Sequence, residues 1–578
     1  MWAERVGWRL GPALLAAACA GGTDKPGVDA AADGRRFVEP PLLEDLDPTP
    51  GRFQGSIRAA AAVLPLDGED VELLAYNGSV PGPRIEVELG DELALDFEND
   101  LPDGEAWASG VHWHGIEGFN AADGTPVTEA PVLPGASRTY AFTATRPGVF
   151  WYHPHTRGAQ ALFSGLYAPL IVADPDEARL VADGVLPAAR HVVVLSDTHT
   201  VLGRVASAEV DNAMEIMNGT EGSQLLVNGA VLPTLEVPLD GGVRLQLINA
   251  SITRFWRLSV PGRSLVRVGG EGGLLDRARV EGGVVTGARI GPGGEALGSV
   301  EVPLRFGVGE VLLAPGERAD VVLLTHGSPG DELALEWRDS ARGRHDMWME
   351  GDEMVMGDAA DDGTRPTVQV ARLRLVDTGA DSFEIDDGTP LLEALGRSVP
   401  SAPTAAGPRW TGADAVSLDE QMDHVQLADG SWEMTTWFGI DGESWHPHRM
   451  GAEAPALAPS ARRARLGEVI ELEVRNNSMM SHPYHLHGFS FQVIDWTLGP
   501  DGEAHEDGEA AEDEVIRVTA DHAEWQDTVL LPPWSTVRLR VPLHDPGGSG
   551  QAAGRWMQHC HILQHGENGM MSELVVEP

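Results

Sequence analysis

From residue 53 onward the chain is written in short runs in which apolar and polar side chains alternate, broken by turn signals. Residues 71–78, 85–91 and 93–97 are the first of these, with Asn77-Gly78 and Gly90-Asp91 marking turns between them. A period of two sends neighbouring side chains to opposite faces, the pattern of strands buried on one side, and no stretch sustains a helical period. The first unit closes near Ala173, after Leu170-Ile171-Val172. A second set of runs at 191–197, 224–229, 243–249 and 372–375 repeats the strand order of the first, which points to internal duplication. Residues 379–430, with Pro, Ala, Gly and Asp throughout, read as a linker. A third set follows at 436–443, 469–474, 489–494, 528–533 and 537–541. The pattern predicts an all-β protein of three units, 53–180, 185–378 and 431–578.

Length and composition agree with that reading and narrow the partners. A chain of 578 residues is several domains long, and 69 Gly with 40 Pro suits many turns. Asp plus Glu is 88 against 41 Lys plus Arg, a formal charge of −47, which excludes nucleic acid and anionic membrane surfaces as partners because both need a basic face. The same charge agrees with cationic substrates or metal ions.

Only two cysteines occur, Cys19 and Cys560. Arg5 and Arg9 precede an apolar run over 10–20, so residues 1–22 read as an export signal. Leu15-Ala16-Ala17-Ala18-Cys19 resembles a bacterial lipoprotein cleavage site with Cys19 as the lipidated residue. Residues 23–52 read as a flexible tether, and an exported protein of the periplasm or cell envelope is expected. No other run of about 18 apolar residues appears, so no spanning helix is expected.

The chemistry lies in four His-x-His pairs: His112-Trp113-His114, His153-Pro154-His155, His485-Leu486-His487 and His559-Cys560-His561. In an extended segment both imidazoles of a pair share one face, and in the last pair Cys560 faces the other way. His482, three residues before His485, has the opposite parity and joins the cysteine side. With His565 and Met570 following Cys560, a thiolate, imidazoles and a thioether come together, the ligand set of a blue-copper electron-transfer centre. One strand thereby joins two metal sites.

These stretches resemble the copper motifs of the multicopper oxidases, the family of laccases, bilirubin oxidases, spore-coat laccases and cuprous oxidases, and stand in the family's order from residue 112 to 570. The resemblance implies three cupredoxin-like Greek-key β-sandwich domains. The second, with no His-x-His pair and no cysteine, is a copper-free spacer. It also implies four copper ions: a type 1 copper on His482, Cys560 and His565 with Met570 axial, a type 2 copper on His112 and His485, and a type 3 pair on His114, His153, His155, His487, His559 and His561. Asp123, nine residues beyond His114, takes the place of a carboxylate that helps deliver protons to reduced oxygen. Family members often carry an acid directly after the histidine equivalent to His565. Here Gly566 stands there and Glu567 follows, which makes Glu567 the candidate for that proton path.

The implied activity is one-electron oxidation of a phenolic or aromatic reductant coupled to reduction of O2 to water, by a monomer. Two alternatives share the copper core: a metallo-oxidase acting on Cu(I), and a copper-carrying resistance protein without turnover. Met347, Met349, Met354 and Met356 lie among carboxylates, and thioethers are soft ligands suited to Cu(I), so residues 345–358 are a candidate docking segment for substrate copper. The acidic stretch 500–514 is a candidate attractor of cations, and His446 and His448 are candidate substrate contacts.

Overall fold

The computed structural model describes residues 36–578 apart from 103–106, 210–212, 341, 344, 351–352, 359–364, 427–431, 448–454 and 500–513. The export signal, Cys19 and nearly all of the acidic stretch lie outside the described residues, as does His448.

Six sheets pair face to face as three β-sandwiches, as the alternation predicts. In the first, a sheet built from Glu69–Tyr76, Arg52–Leu66, Glu92–Asp100 and Ser137–Thr143 covers a sheet of Ile85–Glu88, Ala168–Ala173, Gly148–His153 and His112–His114. Ile57, Leu95 and Phe97 from one meet Trp113, Phe150, Tyr152 and Leu170 from the other. The second sandwich closes in the same way over Leu245, Leu247 and Val321 on one sheet and Trp256, Trp337 and Leu373 on the other. The third packs Ile470, Leu472 and Leu539 against Tyr484, Leu531, Trp556 and Cys560.

The middle sandwich lends strands to both neighbours. Arg204–Val205 pairs with Glu69–Tyr76 through Arg204 and Glu72, extending the first sandwich's sheet. The hairpin of Val284–Ile290 and Ala296–Pro303 joins the third sandwich's large sheet by pairing Ala288, Arg289 and Ile290 with Arg517, Ile516 and Val515.

Two boundaries differ from the sequence reading. The supposed linker 379–430 contains Val416–Gln426, an eleven-residue strand of the third sandwich that pairs with Trp432–Ile440, with Val416 and Leu418 fully buried in the core. Its polar residues mask a strand because only one face is buried. The tether predicted over 23–52 is ordered from Arg36: Phe37 is buried in the middle sandwich and Leu43 in the first. A few anchoring apolar side chains were enough, and composition averaged over the segment hid them.

Parity holds where it matters. Along Gly554–Cys560, Trp556 and Cys560 point into the third sandwich while Met557 and His559 face away from it. Along His112–His114, Trp113 enters the first core and both histidines face out. Gly488, directly after His487, has φ +72°, and a Cβ there would sit 2.2 Å from the Trp556 ring. Gly488→Ala therefore combines backbone strain with overpacking and is expected to cost about 2–4 kcal/mol. Gly135→Ala, at φ +81° with open space around it, isolates the strain and is expected to cost about 1 kcal/mol. Calorimetric melting of the two variants checks the difference.

Candidate metal centres

All eight histidines of the four pairs are buried, and they converge where the outward faces of the first and third sandwiches meet. The strand pairings aim them. His112 lies opposite His153 across the strands His112–His114 and Gly148–His153, and His485 lies opposite His559 across His482–Leu486 and Gly554–Cys560. The His112 and His487 rings are tilted against each other with centroids 4.0 Å apart, and His114 and His485 stack at 3.8 Å. These two contacts cross between the sandwiches.

The hydrogen bonds fix which ring nitrogen faces inward. His112 donates from Nδ1 to the Asp123 carbonyl (2.8 Å), His153 to the Pro154 carbonyl (3.1 Å), His485 to the Asp527 carbonyl (2.9 Å) and His559 to the Cys560 carbonyl (2.9 Å). His487 donates from Nδ1 to Asp123 Oδ1 (3.1 Å). Each of these rings therefore presents an Nε2 lone pair, and the outward hydrogen bond sets tautomer and orientation together. His114 is reversed: Nε2 bonds Asp527 Oδ1 (2.9 Å), leaving Nδ1 inward.

The inward atoms have no protein partner at His112 Nε2, His114 Nδ1, His153 Nε2, His485 Nε2 and both nitrogens of His561. His487 Nε2 and His155 Nε2 lie 3.0 and 3.3 Å from His559 Nε2. Burial, reinforced by the neighbouring imidazoles, holds His114, His153, His155, His487 and His561 well below the usual histidine range and takes His559 down to about 3. Neutral imidazoles with converging lone pairs and no donor between them suit a metal cluster.

On the other face of the same strand, Cys560 Sγ lies 3.4 Å from His482 Nδ1 and 3.9 Å from His565 Nδ1, and the two nitrogens are 3.3 Å apart. Burial raises the Cys560 thiol well above its ordinary value, so ligation must come with loss of its proton. His565 donates from Nε2 to the Met217 carbonyl (2.8 Å) and stacks on Phe438, and burial lowers it to about 3. His482 Nε2 bonds Ser478 Oγ (2.8 Å) and faces Glu420 Oε2 (3.2 Å). Met570 is fully buried in the same core, and its carbonyl accepts from the Cys560 amide (3.1 Å). The donor set is that of a mononuclear copper site.

Among the carboxylates, Asp123 sets Oδ1 against His487 and His112, and its Oδ2 accepts from Thr125 Oγ (2.8 Å). Glu567 turns elsewhere. Its Oε1 accepts the Ala159 amide (3.0 Å) at the start of helix Gly158–Phe163, and burial raises it to about 7. A Cβ at Gly566 would lie 3.7 Å from His559 Nδ1, so it is position 566 that borders the cluster. His446 Nδ1 donates to the Glu567 carbonyl (3.1 Å). Sequence reasoning missed Asp527, Thr528, Ser478 and Glu420, which belong to no motif: Ser478 lies in the turn four residues before His482, and Glu420, Asp527 and Thr528 come from segments further away in the chain.

Comparison with known proteins agrees with this geometry. Two multicopper oxidase family models match residues 59–177 and 420–578. Laccase-1 of Cryptococcus neoformans is 25% identical over 555 residues, covering 89% of this chain and 78% of the relative. The multicopper oxidase MmcO of Mycobacterium tuberculosis is 24% identical over 592 residues, covering 98% and 95%. In fold the chain resembles the solved multicopper oxidase of Campylobacter jejuni, described as a metallo-oxidase, with TM-score 0.65, 22% identity and coverage of 94% and 96%. With buried histidine groups that could hold a metal ion in both outer sandwiches and family matches spanning both, the chain belongs to the multicopper oxidases, copper-dependent oxidoreductases that use O2 as acceptor.

Proposed function

We propose that the protein holds four copper ions: His482, Cys560, His565 and Met570 would hold a type 1 copper, His112 and His485 a type 2 copper, and His114, His153, His155, His487, His559 and His561 a type 3 pair. The inward, partnerless ring nitrogens carry this reading. Copper so bound supplies one-electron chemistry at the cysteine site and dioxygen reduction at the histidine cluster.

The chain's own residues do the rest. Cys560 is covalently continuous with His559 and His561, so the backbone on either side of it is the short route between the two sites. Reduction of dioxygen to water consumes four protons, and Asp123, hydrogen-bonded to His487 and Thr125, is the carboxylate that holds and passes them at its oxygens. Glu567, at about 7, holds a proton near neutrality and is a second store, one residue removed from the position that borders His559. The reductant, phenolic or aromatic, gives its electrons at the His482 and His565 end. Residues 1–22 serve as an export signal with Cys19 as a lipid anchor, and the mature chain works as a monomer in the periplasm or cell envelope.

A specific observation favours Cu(I) as a second reductant. The strands His345–Glu350 and Glu353–Asp358 form an antiparallel hairpin whose register sets Met347 opposite Met356 and Met349 opposite Met354. Its first strand lies against helix Ala213–Asn218, whose Met217 carbonyl accepts from His565. Four thioether-bearing positions paired beside the cysteine site suit a soft cation, and so does the charge of −47.

Three measurements test these readings. Cys560→Ser is expected to abolish the blue absorbance and oxygen uptake while copper remains in the histidine cluster; oxygen uptake at the wild-type rate would sink the assignment. Deleting residues 345–358 is expected to lower the rate with Cu(I) by about tenfold or more and to leave the rate with a phenol nearly unchanged, a difference of about 1.4 kcal/mol in transition-state binding. Equal losses with both reductants would remove the docking role.

The third is thermal stability against pH. The buried histidines have folded pKa values below that of the unfolded chain, so below about pH 6.5 the unfolded state binds more protons and stability falls with acidification. Raised carboxylates such as Glu567 act with the opposite sign in both metal-free and loaded protein, so the difference between the two forms isolates the histidines. The melting temperature of loaded protein should fall more steeply from pH 7 to 4 than that of metal-free protein, because ligating imidazoles and the Cys560 thiolate carry no proton in the folded state and all take one up on release. Parallel curves would show that metal displaces no protons from these side chains and that they are not the ligands.

A further inference from the structure

Two aspartates bracket the histidine cluster in matching ways. Asp123 accepts His112 Nδ1 at its carbonyl and His487 Nδ1 at its carboxylate. Asp527 accepts His485 Nδ1 at its carbonyl and His114 Nε2 at its carboxylate. Each thus holds one imidazole of its own sandwich through backbone and one of the opposite sandwich through side chain. Thr528 Oγ completes the second set, 3.1 Å from His114 Nε2, 3.2 Å from His485 Nδ1 and 2.9 Å from Asp527 Oδ1.

The two differ in what holds the aspartate. Asp123 has the neutral hydroxyl of Thr125. Asp527 has a buried guanidinium: Arg318 Nη1 donates to Oδ1 (2.8 Å) and Nη2 to Oδ2 (2.5 Å), a bidentate pair with no solvent exposure at Arg318. Arg318 is fixed in turn by the Val149 carbonyl at Nε and the Gly316 carbonyl at Nη1, both 2.9 Å. Glu271 Oε2 accepts the backbone amides of Asp527 (2.8 Å) and Thr528 (3.2 Å), and its Oε1 lies 3.3 Å from Arg318 Nη1. The geometry leaves no room around this pair: a Cβ at Gly115, the residue after His114, would fall 2.7 Å from Asp527 Oδ2 and 2.8 Å from Arg318 Nη2.

Arg318 and Glu271 both belong to the middle sandwich, which carries no cluster histidine. We propose that this copper-free sandwich is part of the oxidase's machinery, with Arg318 and Glu271 as positioning residues that lock Asp527. The locked carboxylate keeps the proton of His114 on Nε2, so that this ring presents Nδ1 to the cluster while the rings with outward Nδ1 bonds present Nε2. Because Asp527 also bonds His485, one ion pair sets a ligand proposed for the type 3 pair and one proposed for type 2. A planar, five-donor guanidinium can do this where an ammonium cannot, since it grips both carboxylate oxygens and two carbonyls at once.

The inference rests on the proposed copper assignments, and its test separates the two. Wild type, Arg318→Gln, Arg318→Lys, Glu271→Gln and Asp527→Asn are loaded with copper and challenged with chelators of graded strength. Copper content, blue absorbance and the electron paramagnetic resonance spectrum are then followed. Arg318→Gln is expected to weaken cluster copper by about 10- to 100-fold, the usual effect of losing an outer-shell partner, with a new mononuclear signal as the type 3 coupling is lost. The blue absorbance from the cysteine site should be unchanged. Arg318→Lys should fall between, and combining Arg318→Gln with Asp527→Asn should add nothing to Asp527→Asn alone, because the guanidinium acts only through that carboxylate. Cluster copper held as tightly in Arg318→Gln as in wild type overturns the proposal. So does joint loss of blue absorbance, cluster copper and melting temperature, which marks a purely structural role. If Arg318→Gln does not fold, Glu271→Gln and Arg318→Lys decide by the same readings. Wild-type protein that takes up no cluster copper overturns the oxidase assignment instead.

Discussion

The structure depends on a cost that the polypeptide cannot relieve by itself. Rings donating outward from Nδ1 leave Nε2 lone pairs facing one another across a buried space, where His155, His487 and His559 bring their nitrogens within 3.0 to 3.3 Å. A buried polar group without a partner costs about 1–3 kcal/mol, and here several are gathered in one place. A cation can satisfy them all at once, so the arrangement that disfavours the empty protein is the arrangement that favours metal, and folding and binding share one free energy. Packing elsewhere must hold the rings in place.

That holding is spread through the molecule. Alternation along strands sends Trp113, Phe150, Tyr152, Trp556 and Cys560 into sandwich cores, and this orients the residues between them toward the cluster. Second contacts then fix six of the eight rings: backbone carbonyls for His112, His153, His485 and His559, and carboxylates for His114 and His487. The least expected contribution comes from the sandwich without ligands, whose Arg318 and Glu271 reach the outer face of the cluster through Asp527. At Gly316, in the same loop, a Cβ would stand 2.9 Å from the His561 ring. The middle sandwich therefore forms a wall of the site, and describing it as a spacer understates it.

Much of this was legible in the sequence because it depends on local geometry. Period-two patterning marks the strands, and the single-residue offset between Cys560 and its neighbours is enough to separate the two sites. The strand Val416–Gln426 was hidden because its outward face carries acidic and polar residues. Asp527, Arg318 and Glu271 were hidden for a different reason. Each is one charged residue in an ordinary strand or turn, and its meaning comes from partners 209 to 413 positions away. Parity describes neighbours along a strand and is silent about which strands meet. At Glu567 a motif fixes the position and not the contact, since the carboxylate points to the start of helix Gly158–Phe163.

Backbone pairing between sandwiches is unevenly distributed. The middle sandwich is knitted to the first through Arg204 and Glu72, and to the third through the hairpin ending on Val515. Among the described residues no strand pairing joins the first to the third, where hydrogen bonds such as that from the Gly118 amide to the Gly488 carbonyl are scattered. Of the three seams in this triangle, two are sewn by sheet and one is left to loops and imidazoles. The buried histidines straddle that open seam, so an ion bound there would act as a rivet, and losing it would loosen the molecule along a single line.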